Sequence, residues 1–345
     1  MTPETGRPGD ELPAVLAFDV GNSKTDAALI AADGTVLGAA QGPTSSHQQV
    51  GVEAGFARLV SVAEQAIAQA GRDPHSRPAA RLVAYCAAGV DLPSDERLLT
   101  RALRATGLGA AELVVNDCYG GLRAGTSRTW GVCVISGSGI NCLGVSPNGH
   151  LARFDALGEI SGDWGGGDGV GMAGLAAAVR AEDGRGPNTL LARTVPEFFG
   201  LTRPRQVTVA MYREKIPARA ALQLAPLVFS AASKGDAVAR SIIDRLADEV
   251  VAFATAAIRR LRLQRADTHV VLAGGMFRAH DPAFYDRIEL GIAAVAPAAV
   301  VCRVTAPPVV GAALLGLDRL GAAPAAPEVE QRLRDQLTLE RIARG

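Results

Sequence analysis

Cysteine is scarce and unpaired in this chain. The five cysteines, Cys86, Cys118, Cys133, Cys142 and Cys302, are odd in number and form no C-x-x-C pair, which argues against a disulfide framework, a zinc site or a cysteine-ligated iron–sulfur cluster. Cys133 and Cys142 sit in strand-like runs and are expected to be small buried apolar residues. Net charge is missing too. The 35 basic and 35 acidic residues cancel, so neither nucleic acid nor an acidic membrane surface is an expected partner. No run approaches the roughly eighteen apolar residues of a membrane span, and the opening MTPETGRPGDEL is too polar for a signal peptide or anchor. The expected compartment is the cytoplasm. Lysine is nearly absent, with only Lys24, Lys215 and Lys234, which draws attention to Lys24 inside a glycine turn. His47 lies in a polar loop, and no metal-ligand spacing surrounds it.

What is present points to two α/β domains. A chain of 345 residues with 48% hydrophobic and 20% charged residues exceeds the usual single core and can bury a large one. Residues 132–141, VCVISGSGIN, form an apolar run into a turn of small residues and out into a second run. Leu16-Ala17-Phe18-Asp19 does the same through Gly21-Asn22-Ser23-Lys24 into Ala27-Ala28-Leu29-Ile30. Each segment then reaches a hairpin pair, Asp33-Gly34 or Asn148-Gly149, which predicts an internal duplication of strand, glycine-rich turn, strand, tight turn, strand. Helical spacing over 52–70, a strand at 82–88 and a strand at 113–115 complete the first unit as an α/β layer. The second continues with helices at 172–181, 218–232 and 238–261, strands at 270–273 and 299–304, and a small-residue helix at 309–320. Residues 327–343 are expected as a terminal helix, free to pack on either domain.

Four segments carry candidate chemistry. In the first, Asp19 ends a strand ahead of Gly21, Asn22, Ser23, Lys24 and Thr25. Such a turn either holds phosphate oxygens with its N–H groups, hydroxyls and one lysine, with Asp19 organising a magnesium ion through water, or is an ordinary hairpin. It lacks the Walker A spacing. In the second, Asp117 follows an apolar strand, where a carboxylate serves either as a proton acceptor or as a helix N-cap. The third, 162–171, packs six glycines around Asp163, Trp164 and Asp168 and suits either a ligand contact at a helix N-terminus or a flexible linker. The fourth, Gly274-Gly275 after a buried strand, is either a nucleotide contact or a turn.

Together these segments resemble the N-acetylglucosamine kinase and BadF/BadG/BcrA/BcrD-type ATPase family of the actin-like sugar kinase superfamily. The resemblance spans roughly residues 14 to 320. LAFDVGNSKTDAALI is similar to the family's first phosphate motif, VVNDCYGG to its catalytic-aspartate segment, ISGSGINC to its second phosphate and sugar turn, and VLAGGMF to its adenosine motif. The resemblance implies two actin-like, ribonuclease H-like domains, 1–121 and 122–345, the second with a helical insertion, flanking a cleft for ATP, Mg2+ and substrate. It implies an ATP-dependent kinase for a hydroxyl of an amino sugar or N-acetylhexosamine, N-acetylglucosamine and glucosamine first among them. Asp117 would be the base and Asp19 the metal-organising residue. Gly21, Asn22, Ser23, Lys24, Thr25, Gly137, Ser138, Gly139, Gly274 and Gly275 would line the nucleotide. Ser46, His47, Asn116, Ser138, Gly139, Asn141, Glu159 and Asp163 would face the sugar.

Two positions depart from the N-acetylglucosamine kinase pattern. Gly158-Glu159 stands where those kinases carry an aromatic residue after the glycine, and Ser46-His47 where they carry asparagine before histidine. A carboxylate at Glu159 favours an amine over an acetamide. The same family holds a dehydratase-activating ATPase branch, whose paired cysteines this chain lacks, and a non-catalytic sugar- and ATP-binding regulator is a third reading. Neither a nucleic-acid nor a membrane partner is expected, and a homodimer is compatible with the resemblance.

Overall fold

The computed structural model describes residues 12–321 and 323–343; most of the polar opening segment lies outside them. The chain divides into two compact units, one formed by 1–129 with 304–345 and the other by 130–303.

In the first unit β1 (Val15–Val20), β2 (Lys24–Ile30), β3 (Val36–Pro43), β4 (Leu82–Ala87) and β5 (Glu112–Asn116) form one sheet in the order β3-β2-β1-β4-β5. β1, β2 and β3 pair antiparallel, whereas β4 and β5 run parallel to β1. The second unit repeats the plan. Its strands β6 (Gly131–Ser136), β7 (Ile140–Val145), β8 (Leu151–Arg153), β9 (His269–Ala273) and β10 (Val300–Arg303) lie in the order β10-β9-β6-β7-β8, with the same parallel and antiparallel relations. The duplication extends to the tight turns. Gly34 and Gly149 both take left-handed φ, +83° and +78°, and their amides donate to Ala31 and Ser146 carbonyls at 3.0 and 2.9 Å. Such a φ is what the glycine at this position is for.

Strand periodicity decides what each face of the first sheet carries. Leu16, Phe18 and Val20 point into the core beneath helices Val52–Gln69 and Pro93–Ala105. Val15 and Ala17 face the other way, under helix Val309–Gly321. Successive strand residues alternate faces, so both sides of β1 are apolar until Asp19.

The expected boundary between 121 and 122 differs from the observed division at the C-terminal end. Helix Val309–Gly321 buries Val309, Val310, Ala312, Ala313 and Leu314 against Val15, Ala17, Ala28 and Ile30, and Leu333, Leu337 and Ile342 join the same core. Each fully buried aliphatic side chain contributes roughly 1.5–3 kcal/mol, which outweighs the chain's preference for sequence neighbours. The terminal segment is two helices, Pro327–Gln336 and Leu339–Ala343, because the chain breaks at Leu337-Thr338.

Helix Gly166–Glu182 starts earlier than the expected 172. Its glycines are a packing surface: a Cβ on Gly171 would collide with the Ala221 carbonyl, one on Gly167 with Leu222, and one on Gly174 with Val228 at 2.7 Å. Among the described residues no helix is long and apolar enough to cross a membrane.

Gly311 makes an equally close approach, since a Cβ there would overlap the Gly120 carbonyl. Gly311→Ala should therefore destabilise the protein by about 1–3 kcal/mol as an overpacking change, measured as a lower denaturant midpoint with unchanged m-value. An unchanged midpoint would show that the two helices can separate freely.

Candidate active site

In the first unit the sheet brings together residues far apart in sequence. β1, β4 and β5 are parallel, so their carboxyl ends lie side by side, the edge where α/β sheets bind ligands. Asp19 sits there beside Cys86 of β4 and directly opposite Asp26 of β2. Asp117 begins helix Asp117–Gly125 immediately after β5. Asp26 and Lys24, two apart on one strand, share a face. Lys24 Nζ donates to Asp26 Oδ2 at 2.7 Å, and Gln41 Nε2 donates to Asp26 Oδ1 at 2.8 Å.

This cluster holds more negative than positive charge. Burial pushes the Asp19 carboxyl up to about 8, with Asp26 and Asp117 adding to the rise and Lys24 opposing it. Asp117 is raised to about 6 by burial, against the pull of the N–H groups of Cys118 and of Asp117 itself. Both carboxyls are half-buried and keep an edge to solvent. Asp26 is fully buried and was not among the expected site residues.

The structure assigns helix capping to Asn116 and not to Asp117. Asn116 Oδ1 accepts from Cys118 N at 2.9 Å, and its Nδ2 donates to Asp91 Oδ1 at 2.9 Å. Asn116, at 6% exposure, holds the helix start. Asp117 takes the first helical position after that cap.

The expected nucleotide and sugar loops of this unit are stitched to one another. Thr25 and Ser45 hydroxyls bond at 2.8 Å, Thr44 Oγ1 donates to Gly21 O at 2.7 Å, and Ser46 Oγ donates to Asn22 Oδ1 at 2.9 Å. Thr25 and Ser46 are fully buried, so both support the loops instead of presenting a hydroxyl to a ligand. Ser23 is exposed, and Gly21 and Asn22 are half-buried. His47 is half-buried, its Nδ1 is buried without a partner, and burial lowers its pKa against the opposing field of Asp95.

In the second unit the turn Gly137–Gly139 is held from behind. Gly167 N donates to Gly137 O at 2.8 Å and Asp168 N to Ser138 O at 3.0 Å. The first N–H groups of helix Gly166–Glu182 are therefore spent on the turn, and the expected anion site at that helix start is taken up by protein. Gly137, Gly139 and Gly275 have ordinary φ and open space where a Cβ would stand. The fold does not require them to be glycine; what they provide is bare backbone. Gly274 differs, because its φ of +107° and the neighbouring Ser136 backbone both exclude a side chain. Asn141 Oδ1 accepts from Cys142 N at 2.6 Å. Glu159 is exposed on a short 3-10 turn, Gly158–Ser161, and Asp163 accepts a bond from the Ser161 hydroxyl. Trp164 lies under the Arg245 guanidinium at 3.9 Å.

The arrangement in the first unit can take up a proton at Asp117 and attract a cation at Asp19. Among the described residues no group of three or more His, Cys, Asp or Glu side chains could enclose a metal ion. A single carboxylate among like charges nevertheless suits Mg2+, which keeps most of its waters and takes one or two carboxylates beside phosphate oxygens.

The profile of the BadF/BadG/BcrA/BcrD ATPase family matches residues 17–316. The chain is 28% identical over 264 residues to the N-acetylmuramic acid/N-acetylglucosamine kinase of Clostridium acetobutylicum, covering 76% of this chain and 85% of that protein. It is 25% identical over 314 residues to the N-acetyl-D-glucosamine kinase of Dictyostelium discoideum, covering 88% and 97%. A solved structure from Chromobacterium violaceum, provisionally named an N-acetylglucosamine kinase, aligns with a TM-score of 0.71 at 27% identity over 88% of this chain and 98% of that one.

The Asp19 carboxyl binds its proton more tightly folded than unfolded. Its contribution to stability is complete below the ordinary value of 3.8 and is lost as pH rises towards about 8. The Tm of the metal-free protein should fall between pH 5 and 8, and Asp19→Asn should flatten that fall. Parallel Tm profiles for the two proteins would show that the Asp19 carboxyl is not the group whose proton affinity folding raises.

Proposed function

Because the chain belongs to the BadF/BadG/BcrA/BcrD ATPase family, we propose that it is an ATP-dependent kinase transferring the γ-phosphate to a hydroxyl of an amino sugar or N-acetylhexosamine. N-acetylglucosamine and glucosamine are the leading acceptors, on the strength of relatives named for N-acetylglucosamine. One observation carries the reading. Asp117 stands at the carboxyl end of a parallel strand, in the first helical position after the Asn116 cap, with its carboxyl raised to about 6. A base with that affinity is ionised at neutral pH and still basic enough to accept a proton as it leaves a hydroxyl.

In the proposed reaction the sugar hydroxyl oxygen attacks the γ-phosphorus while its proton passes to an Asp117 carboxylate oxygen. The bond between the γ-phosphorus and the bridging oxygen breaks, and ADP leaves with that oxygen's charge. Phosphoryl transfer depends chiefly on positioning and charge stabilisation, so the remaining residues bind and orient. Gly137, Gly139 and Gly275 give nucleotide oxygens close access to backbone. Asn22 and Ser23 serve the first turn, and Lys24 is held ready by Asp26. Asp19 would hold Mg2+, largely through water, and the ion when bound would offset charge on the phosphate oxygens. His47, with its unpartnered Nδ1, and the carboxylates Glu159 and Asp163 are the groups proposed to meet the sugar.

The test is ADP release across glucosamine, N-acetylglucosamine, N-acetylmuramic acid, N-acetylmannosamine and glucose. Release should require an amino sugar or N-acetylhexosamine. Asp117→Asn should lower it by two or more orders of magnitude, roughly the contribution of a general base, while ATP still binds. Near-normal turnover in that variant would remove Asp117 from the mechanism, and release independent of sugar would favour a plain ATPase.

A further inference from the structure

The helix that begins with Asp117 is poorly built to hold its own shape. Of the nine residues in Asp117–Gly125, Gly120, Gly121 and Gly125 are glycine, each costing about 1 kcal/mol relative to alanine in a helix. Its position comes from helix Val309–Gly321, whose Gly311 lies against Gly120 and Ala124, and from grips at its two ends. At the start the grip is the Asn116 cap. At the far end it is a buried set of charges contributed by the C-terminal segment.

Arg123, on that helix, is 3% exposed. Its Nε donates to Asp318 Oδ2 at 2.8 Å and its Nη1 to Glu330 Oε2 at 2.9 Å. Glu330 is 6% exposed and its other oxygen accepts from Ser127 Oγ at 2.8 Å and Arg334 Nη2 at 2.6 Å. Arg334 in turn donates from Nη1 to Ala124 O at 2.5 Å and from Nη2 to Arg123 O at 3.4 Å. It supplies the last carbonyls of the helix with donors they lack and places a cation at the negative end of the dipole. Glu330 therefore joins the side chain of the helix to the group that closes its C-terminus.

Burial of these charges is a poor way to gain stability alone, because packed apolar residues commonly do as well. What charge-assisted bonds supply is a fixed geometry. Arg123 is six residues from Asp117, about 9 Å along the axis, and over less than two turns a helix moves as one body. The three partners Asp318, Glu330 and Arg334 all lie beyond residue 316, where the family match ends.

We propose that Glu330, acting with Arg334 through Arg123, is a positioning residue that sets where the Asp117 carboxylate stands for phosphoryl transfer. This rests on Asp117 being the base of the proposed kinase. Displacing a reacting group by about 1 Å can cost on the order of a hundredfold in rate, so loosening the grip should lower kcat without weakening substrate binding.

The test compares full-length wild type, Glu330→Ala and the milder Glu330→Gln, well below their Tm, with active sites counted by nucleotide titration. Glu330→Ala should lower kcat per site on the order of tenfold while KM for sugar and ATP changes less than twofold. Glu330→Gln, which keeps the shape and one acceptor, should fall between Glu330→Ala and wild type. A lower Tm with kcat per site unchanged in both variants would make Glu330 a structural residue only and overturn the proposal. If wild type itself transfers phosphate to no sugar, the kinase reading fails and this role with it; an active wild type with unaffected variants defeats the positioning role alone.

Discussion

Burial of carboxylates at one edge of the first sheet is the constraint on which the site depends. Parallel pairing of β1, β4 and β5 forces Asp19 and Asp117 to the same end. The antiparallel pairing of β1 with β2 adds Asp26 opposite Asp19. One lysine, already committed to Asp26, faces this charge. A fold that sought only stability would not gather such groups, and perturbed carboxyls of this kind concentrate where proteins do chemistry. In the proposed reaction the partners that would relieve this burial are a proton on Asp117 in the course of transfer and a cation at Asp19.

The surrounding structure immobilises this edge. Hydroxyl bonds tie 44–46 to the first glycine turn, the Asn116 cap fixes the start of the Asp117 helix, and the C-terminal helices hold its end. The second unit uses another device for its twin turn, donating the first amides of helix Gly166–Glu182 to the turn's carbonyls. In both cases carbonyls of the turn, Gly21 O in the first and Gly137 O and Ser138 O in the second, are held by protein donors.

Much of this was legible from residues alone. The duplication followed from two matching runs with hairpin pairs, and the family resemblance agreed with the profile match across 17–316. What escaped was whatever depends on register or on a shift of one position. Asp26 gains meaning only once β1 and β2 are aligned residue by residue. Asn116 and Asp117 are both good caps, and local sequence does not choose between them. The glycines at 167 and 171 look like a ligand loop until their helix meets the 3-10 segment Ala218–Leu224. Thr25 and Ser46 are hydroxyls in the right segments whose burial is set by each other's neighbours. The return of 309–343 to the first unit is a long-range contact that periodicity cannot announce.

A kinase passes phosphate from ATP to a sugar hydroxyl and not to water. Phosphorus NMR of ATP labelled with oxygen-18 in the γ-phosphate, incubated with the protein and N-acetylglucosamine or glucosamine, tests it most directly. The label is expected in a sugar phosphate ester formed in step with ADP. Label appearing as inorganic phosphate at the same rate with and without sugar would contradict it.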